Sequence, residues 1–223
     1  MGVKNENMPD RGAAVEKGLE TYTIIPYIPG GILDPATLRK IADVAEKYPV
    51  ECIKMTSEHK IGFYGVRKED IDDIFHDLGM EPGGHIGKCV RGVKFCTGNA
   101  FCKKGYQNTI EMGLRIDATF HKMETPAKVK ISLSGCTRCC AESAVRDIGL
   151  IGTPRGWKML VGGTCGLQVK KGKLIAKDLS DDQVIDYVEK ILNYYIENGV
   201  DKRMGRFIDK IGFDRFSREV LGE

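Results

Sequence analysis

Four cysteines stand in two closely spaced pairs in the middle of the sequence. Five residues separate Cys96 from Cys102, and three separate Cys136 from Cys140. Two such pairs on tight loops provide the four soft ligands that a cubane [4Fe-4S] cluster requires. Zinc is the alternative metal, but structural zinc sites usually space paired ligands by two to four residues, so the five-residue spacing is unusual for them.

The other four cysteines fall outside these pairs. Cys52 lies in a strand-like pattern and is expected to be an inert buried residue, whereas a ligand role stays open for Cys89, Cys139 and Cys165. No apolar run approaches the roughly 18 residues of a membrane span, and the first residues lack a signal-peptide core. We therefore expect a cytoplasmic protein, in which eight cysteines favour metal or redox chemistry over disulfides.

Length and charge limit the possible architectures and partners. The chain of 223 residues is long enough for one sizeable domain or two small ones. Its formal charge is only +3, which argues against a broad polycationic surface and against nucleic acid as the main partner. Basic residues with a function must therefore act locally.

The first part of the chain predicts a small α+β unit. Residues 1–18 mix charge, glycine and proline without periodicity and are expected to form a flexible tail. Residues 19–82 read as strand, helix, strand, strand, helix, which is most of a ferredoxin-like half-domain. Turn-forming residues at 81–85 mark a boundary, after which residues 83–223 form the part that carries the cysteine pairs.

The elements of the second part would position those pairs. The patterns predict a helix near residues 106–123 and a strand over residues 128–133 that leads directly into Cys136. A helix is expected to begin around residues 141–146, with its N-terminal amides facing the cluster. Further predictions are short strands at 147–152, 157–163 and 166–169, a long helix that begins at Ser180, and an amphipathic segment over residues 201–216.

Taken together, these motifs resemble the siroheme and [4Fe-4S] nitrite and sulfite reductase family. The likeness covers most of residues 90–216 and more weakly residues 21–80. It rests on the two cysteine pairs, the Asp147-Ile148-Gly149-Leu150-Ile151-Gly152 segment, Gly162-Gly163 and the closing Arg206-Phe207-Ile208-x-x-Ile211-Gly212 segment. The resemblance implies a cluster held by the four paired cysteines, with Cys140 also serving as the axial ligand of siroheme iron.

The resemblance also implies which basic residues handle anions. Lys128 and Lys130 are similar to the paired lysines that contact substrate in the family, and alternation places both on one face of a strand; two solvated lysines are the alternative. Arg91 resembles an arginine that contacts substrate or siroheme carboxylates. The other candidates for cofactor contacts are Lys94, Arg138, Gly162 and Gly163, with Arg146 and Arg155 also available to siroheme carboxylates.

Two features depart from the family pattern. Where the family usually has Thr-x-Arg-Gln, this chain has Thr56-Ser57-Glu58-His59, so an acid replaces an arginine that contacts substrate. The second departure is size, because the chain holds one repeat where many members fuse two. It is therefore similar to the small assimilatory-type sulfite reductases, and two-fold self-association is expected.

These observations predict an α+β protein that reduces sulfite to sulfide by six electrons with a [4Fe-4S] cluster and siroheme. The donor is expected to be a ferredoxin-like or other redox protein. Nitrite reduction to ammonia is the second hypothesis. A protein that carries the cofactors only for electron transfer is the third, and Glu58 and the single repeat motivate it.

Overall fold

The computed structural model describes residues 6–18 and 20–222 of the chain. It forms two compact units, Met1–Gly87 and Lys88–Glu223, so the units meet a few residues beyond the boundary that the sequence predicts at 82–83. Each unit buries a hydrophobic core of its own. Within the described part of the chain, no helix is long and apolar enough to cross a membrane.

The first unit is a four-stranded sheet with two helices. Its elements are β1 (Ala13–Val15), β2 (Tyr22–Ile24), α1 (Pro35–Lys47), β3 (Cys52–Met55), β4 (Ile61–Val66) and α2 (Ile71–Leu78). The strand order is β1-β2-β4-β3, and every neighbouring pair is antiparallel. Because β4 lies between them, β2 and β3 run parallel to each other and α1 joins them as a split βαβ unit. The predicted ferredoxin-like half-domain is thus confirmed.

Local chemistry explains the helix boundaries in this unit. The Asp34 carboxylate accepts a hydrogen bond from the Thr37 amide at 2.7 Å, and Pro35 occupies the first turn of α1. Gly79 ends α2 with a φ of 61°, a left-handed conformation that glycine adopts without strain. Both helices turn apolar side chains towards the sheet, including Ile41 and Ile74.

The predicted flexible tail is wrong for the segment that forms β1. Ala13 is fully buried and pairs with Ile24 of β2. The Glu16 carboxylate accepts hydrogen bonds from Thr21 Oγ1 at 2.6 Å and from the Gly65 amide at 3.0 Å. A strand of three residues is too short to show a periodicity in the sequence. It forms because it pairs with β2. Residues 1–5 and Leu19 lie outside the described part.

The second unit is a mixed five-stranded sheet covered by helices. Its elements are β5 (Lys94–Phe95), α3 (Gly98–Phe101), α4 (Thr109–Phe120), β6 (Ile131–Ser134), β7 (Ile148–Thr153), β8 (Gly156–Val161), β9 (Lys173–Leu179), α5 (Asp181–Asn198), α6 (Met204–Ile211) and α7 (Phe213–Leu221). The strand order is β5-β6-β7-β8-β9. The first three strands are parallel and the last three antiparallel. With the first unit, this arrangement confirms the predicted α+β class.

Helix α4 holds β5 in place beside the cysteine loops. Asn108 caps the helix by accepting a hydrogen bond from the Glu111 amide. At Gly113 a Cβ atom would come within 2.2 Å of the Phe95 ring. The helix therefore approaches the strand more closely than any residue with a side chain would permit, and Phe95 is fixed directly before Cys96.

Near the C-terminus one prediction is wrong and another is confirmed. Residues 166–169 form part of a loop, not a strand, because Thr164 and Lys170 exchange two backbone hydrogen bonds of 2.9 Å that turn the chain. The strand lies further on, at β9. The amphipathic segment predicted over 201–216 is helical and buries Phe207, Ile208 and Phe216. It consists of two helices, α6 and α7, because Gly212 interrupts it with a φ of 89°.

Candidate functional site

Two parallel strands deliver the cysteine pairs to the same edge of the sheet. Cys96 follows β5 directly, and Cys136 follows β6 after one intervening glycine. The strands are neighbours, with Phe95 opposite Leu133. Because the carboxyl ends of parallel strands meet at one edge, the two cysteine loops lie side by side. The loop geometry thus depends on strand pairing and not on the spacing of the cysteines alone.

All four paired thiols line one cavity of about 170 Å³. Cys96 and Cys136 are half-buried, and Cys102 and Cys140 are exposed. The rest of the lining is Thr97, Gly98, Lys104, Gly105, Ser134, Gly135 and Arg138. The sulfurs surround a space instead of meeting at one point. Among residues 6–18 and 20–222, no three Cys, His, Asp or Glu side chains could hold a single metal ion. Soft thiolates around a cavity fit the four-iron cluster, in which each cysteine binds a different iron.

Close backbone contacts fix the two loops against each other. A Cβ atom on Gly135 would come within 2.8 Å of Gly98 Cα, and one on Gly105 would come within 2.4 Å of the Asn99 nitrogen. The Gly135 amide donates a hydrogen bond to Cys96 Sγ at 3.2 Å. An amide aimed at a thiolate stabilises its negative charge and would tune a cluster bound there.

The adjacent cysteines 139 and 140 point in different directions. Cys140 lines the cavity and Cys139 does not. Cys139 has a φ of 57°, and its sulfur accepts a hydrogen bond from the Ala144 amide at 3.2 Å. The geometry therefore separates two residues that the sequence left ambiguous, and it favours Cys140 as the ligand. Cys52, which was expected to be buried, is exposed on β3, as is Cys165 in its loop.

The helix predicted after Cys140 is wrong. Residues 143–145 form a single 3-10 turn. Glu142, the residue before this turn, has a left-handed backbone with a φ of 60°. Buried serines hold this segment: Ser132 Oγ donates to the Ala141 carbonyl at 2.6 Å, and Ser134 and Ser143 hydroxyls are 2.8 Å apart. Amides of the loop, not a helix dipole, therefore face the thiols. The alternation of serines with apolar residues in β6 is the sequence signal that indicates this network.

The predicted basic residues lie on neighbouring segments. Lys128 and Lys130 flank Val129, which is fully buried and whose carbonyl accepts a hydrogen bond from the Arg91 amide at 2.9 Å. The predicted strand begins later than expected, at Ile131. The structure therefore brings Arg91, Lys128 and Lys130 together, as a shared role on one anion requires.

Electrostatics adds a fourth cation that the sequence did not indicate. Partial burial lowers the pKa of Lys128, and the positive charges of Arg203, Lys130 and Arg91 lower it further. Burial also lowers the pKa of Arg91, although the neighbouring Cys89 opposes this effect. Four cations so close together form a site where a bound anion relieves repulsion.

Arg203 is held by a buried carboxylate. Asp147 is 1% exposed, and it accepts hydrogen bonds from the Lys130 amide at 2.9 Å and from Arg203 Nε at 3.1 Å and Nη2. Burial raises the pKa of Asp147 even though the Arg203 hydrogen bonds act in the opposite direction. Asp147 thus connects the lysine segment to the residue before α6.

The remaining predicted contacts are divided between two places. Arg138 lines the cysteine cavity. Lys94 is buried, and its ammonium lies 3.2 Å from the carboxylate of Glu142, which also pairs with Arg146. Arg155 forms a surface pair with Asp178 at 3.2 Å.

Gly162 and Gly163 lie where β8 ends, next to a larger cavity. A Cβ on Gly205 would come within 2.5 Å of the Gly162 carbonyl, so these glycines let α6 approach the sheet. Gly163, Lys170, Arg203 and Arg206 line a cavity of about 780 Å³ together with the 164–170 loop. Gly162 itself has a packing role, whereas Gly163 borders a space large enough for a sizeable ligand.

Glu58 lies in the first unit, in the turn between β3 and β4. The Thr56 amide donates to the Lys60 carbonyl at 2.8 Å and closes this turn, and His59 adopts a φ of 57°. The departure from the family pattern is therefore accommodated in an ordered hairpin.

Comparison with known proteins identifies relatives of both units. Residues 86–223 match the model of the nitrite and sulphite reductase 4Fe-4S domain, and residues 14–80 match the nitrite/sulfite reductase ferredoxin-like half domain. The chain is 35% identical to an assimilatory-type sulfite reductase of Nitratidesulfovibrio vulgaris, over 95% of this chain and 98% of that protein. It is 37% identical to a nitrite reductase [NAD(P)H] of Bacillus subtilis, over 86% of this chain but only 24% of that protein.

A solved structure agrees at the level of the fold. The crystal structure of dissimilatory sulfite reductase I superposes with a TM-score of 0.79 at 17% identity, covering 90% of this chain and 69% of that one. The two family models together cover nearly the whole sequence, with the four thiols inside the 4Fe-4S domain. The chain therefore belongs to the nitrite and sulfite reductase family.

Proposed function

We propose that the protein is a sulfite reductase that converts sulfite to sulfide with six electrons. The observation that carries the proposal is the convergence of four thiols on one cavity in a fold that also gathers four cations. A relative that the chain matches over 95% of its own length and 98% of the relative's length is named an assimilatory-type sulfite reductase.

Cys96, Cys102, Cys136 and Cys140 would hold a [4Fe-4S] cluster. The Cys140 thiolate would also bind siroheme iron, so that one sulfur is shared by both cofactors. Siroheme, when bound, supplies the iron that takes the substrate anion and passes electrons to it. The protein's part is to fix the four sulfurs and to direct the Gly135 amide at one of them.

Arg91, Lys128, Lys130 and Arg203 would bind the substrate oxyanion. Burial and then the neighbouring positive charges lower the pKa of Lys128, and an anion bound among the four side chains decreases their repulsion. Each loss of oxygen as water consumes protons, and a lysine with a lowered pKa is a suitable proton donor. The same cations compensate negative charge that develops on the substrate as electrons arrive.

Siroheme carries several carboxylates, which require cationic partners. Arg206 and Lys170 line the cavity of about 780 Å³ and would serve that role, with Gly163 leaving room for a flat ring. Arg138 and Lys94 are the remaining candidates near the cluster. The donor set therefore fits both cofactors.

Nitrite is the second candidate substrate. The chain is slightly more identical to a bacterial nitrite reductase than to the sulfite reductase, although it spans only a quarter of that protein. Both substrates are small oxyanions that four cations can bind, so the anion site does not discriminate between them by charge.

Steady-state assays with anaerobically purified protein separate these functions. With reduced methyl viologen as donor, we expect turnover of sulfite with stoichiometric sulfide, and slower turnover of nitrite. Acid acetone extracts should contain siroheme, and iron should be present for the cluster and the haem. Faster turnover of nitrite would reverse the assignment. Full cofactor content without turnover of either anion would make the protein an electron carrier.

The rate of sulfite reduction should decline at alkaline pH, and the decline should begin at a lower pH than an ordinary lysine pKa would give. Lys128 must be protonated to bind an anion, and its pKa is lowered from 10.5 by burial and by its cationic neighbours. The Lys128 ammonium is fully charged well below that lowered pKa, and it loses its charge as the pH rises through the pKa. The pH profile of kcat/KM for sulfite should show this limb, and Lys128→Arg should move it upward because arginine stays charged. An unchanged limb in Lys128→Arg would remove Lys128 from the anion site.

The proposal extends to partners and location. A ferredoxin-like or other redox protein would supply electrons, the protein would act in the cytoplasm, and two copies would associate about a two-fold axis. Light scattering of the intact 24.7 kDa chain measures the last of these, with a doubled mass expected.

A further inference from the structure

A buried tyrosine of α5 is hydrogen-bonded to the segment that carries Arg203. Tyr195 is fully buried, and its ring packs against Phe207 with the two centroids 5.5 Å apart. Its hydroxyl donates a hydrogen bond to the Lys202 carbonyl. Lys202 directly precedes Arg203, the cation that Asp147 holds. The tyrosine hydroxyl thus fixes the backbone next to one of the four cations of the anion site.

The same oxygen also faces the lysine segment. Burial raises the pKa of Tyr195 to about 12 and the negative charge of Asp147 raises it further, whereas Arg203 and the hydrogen-bonding amide of Ala127 act in the opposite direction. Ala127 directly precedes Lys128. Because the hydroxyl stays protonated at neutral pH, it donates to the carbonyl before Arg203 and keeps its lone pairs for the amide before Lys128.

Two buried groups therefore connect the same two segments. The Asp147 carboxylate accepts hydrogen bonds from the Lys130 amide at 2.9 Å and from Arg203 Nε at 3.1 Å. The Tyr195 oxygen lies between the residue before Lys128 and the residue before Arg203. The lysine segment is thus held near both of its ends. A site for one small oxyanion works only if its cations keep their separation to within about 0.5 Å.

The turn after α5 brings the Lys202 carbonyl back to the tyrosine. The Gly199 amide donates a hydrogen bond to the Tyr195 carbonyl at 2.8 Å, and a Cβ atom on Gly199 would come within 2.9 Å of the tyrosine ring. Glycine therefore lets the chain fold closely over this ring. A phenylalanine could fill the same space in the core, but the Lys202 carbonyl and the Ala127 amide would both lose the oxygen.

We propose that Tyr195 is a positioning residue for the substrate oxyanion, and that its hydroxyl sets the separation of Arg203 from the Lys128 segment. This inference rests on the proposed function only through the anion site, because sulfite must bind there before it can be reduced. Tyr195 acts through the backbone of residues 127 and 202. It does not line the thiol cavity, so loss of the hydroxyl should weaken anion binding and leave the cluster unchanged.

Tyr195→Phe tests the hydroxyl, and Tyr194→Phe is the matched control. Tyr194 is the neighbouring residue on the same helix, and its ring packs against Phe207 and Phe216. With methyl viologen as donor, we expect the KM for sulfite to rise about fivefold in Tyr195→Phe, while kcat stays within about twofold of the wild-type value. Tyr194→Phe should match the wild type in both constants.

A binding measurement separates positioning from turnover and from stability. Calorimetric titration of sulfite into the oxidised, cofactor-loaded protein gives Kd directly, in phosphate-free buffer because phosphate is a competing oxyanion. The Kd should rise in Tyr195→Phe by the same factor as KM. Val188→Ala truncates another fully buried side chain of α5. Its thermal midpoint should fall because of the cavity, whereas its Kd for sulfite should stay at the wild-type value.

The outcomes decide the proposed function and the positioning role separately. Unchanged Kd and KM in Tyr195→Phe would overturn the inference, even if the thermal midpoint fell. An equal rise of Kd in Val188→Ala would also overturn it, because weaker binding would then follow from lost stability alone. If the wild type binds sulfite but reduces neither anion, the proposed function fails, and a raised Kd in Tyr195→Phe still supports the inference. No sulfite binding by the wild type would overturn both.

Discussion

Cys140→Ser is expected to abolish sulfite reduction, whereas Cys139→Ser retains it. Cys140 lines the cavity with the other three thiols, and serine is a poor replacement for the soft thiolate that iron requires. Cys139 Sγ instead accepts the Ala144 amide, and a serine hydroxyl can accept the same hydrogen bond. Iron and sulfide analysis, the absorption spectrum and methyl viologen turnover of each purified variant measure the difference.

The pair of variants is its own control, because the substitutions are chemically identical and adjacent. Both would disturb the turn at residues 139–140 to a similar extent, so only the loss of a ligand explains a difference in iron content. Normal iron and turnover in Cys140→Ser, with loss of both in Cys139→Ser, would exchange the two roles.

Asp147→Ala is expected to lower the free energy of unfolding by about 3 kcal/mol. The substitution leaves Arg203 without its buried counter-ion and the Lys130 amide without its acceptor. The Arg203 side chain is 30% exposed, which allows partial solvation and places the effect at the lower end for a broken buried pair. The thermal midpoint should fall by about 6–12 °C for a unit of this size.

Two further variants separate charge from hydrogen bonding at this position. Asp147→Asn keeps an acceptor for the Lys130 amide but loses the charge, and we expect an intermediate fall. Asp182→Asn, which breaks the exposed pair with Arg115, should cost under about 1 kcal/mol. If Asp147→Ala is no more destabilising than this control, Asp147 does not hold the two segments together.

The cysteine pairs show what local sequence can reveal. Their spacing and the glycines beside them indicate a cluster because each pair folds as one short loop. The spacing and the family resemblance chose Cys140, but the sequence left a ligand role open for Cys139. The direction of the Cys139 sulfur could not be predicted, since it depends on the left-handed conformation of that residue and on an amide five residues later. This turn is held by hydrogen bonds from the buried serines Ser132 and Ser134, which lie on another element, β6.

The Asp147–Arg203 pair shows where sequence reasoning ends. The two residues are 56 positions apart, and only the packing of α6 against the end of β8 brings them together. The same limit applies to β1 and β9, whose strands become evident only with their partners. Elements with strong periodicity and caps, such as α1, α2 and α5, were predicted because their own residues define them.

The separate cores of the two units have a consequence for how proteins of this kind are assembled. A segment that buries its own apolar side chains carries its own folding information, so it can be joined to other polypeptide without redesign of its interior. The Bacillus subtilis nitrite reductase contains the counterpart of this chain as about a quarter of its length. The same fold can thus occur as one part of a longer polypeptide, as it does in that relative.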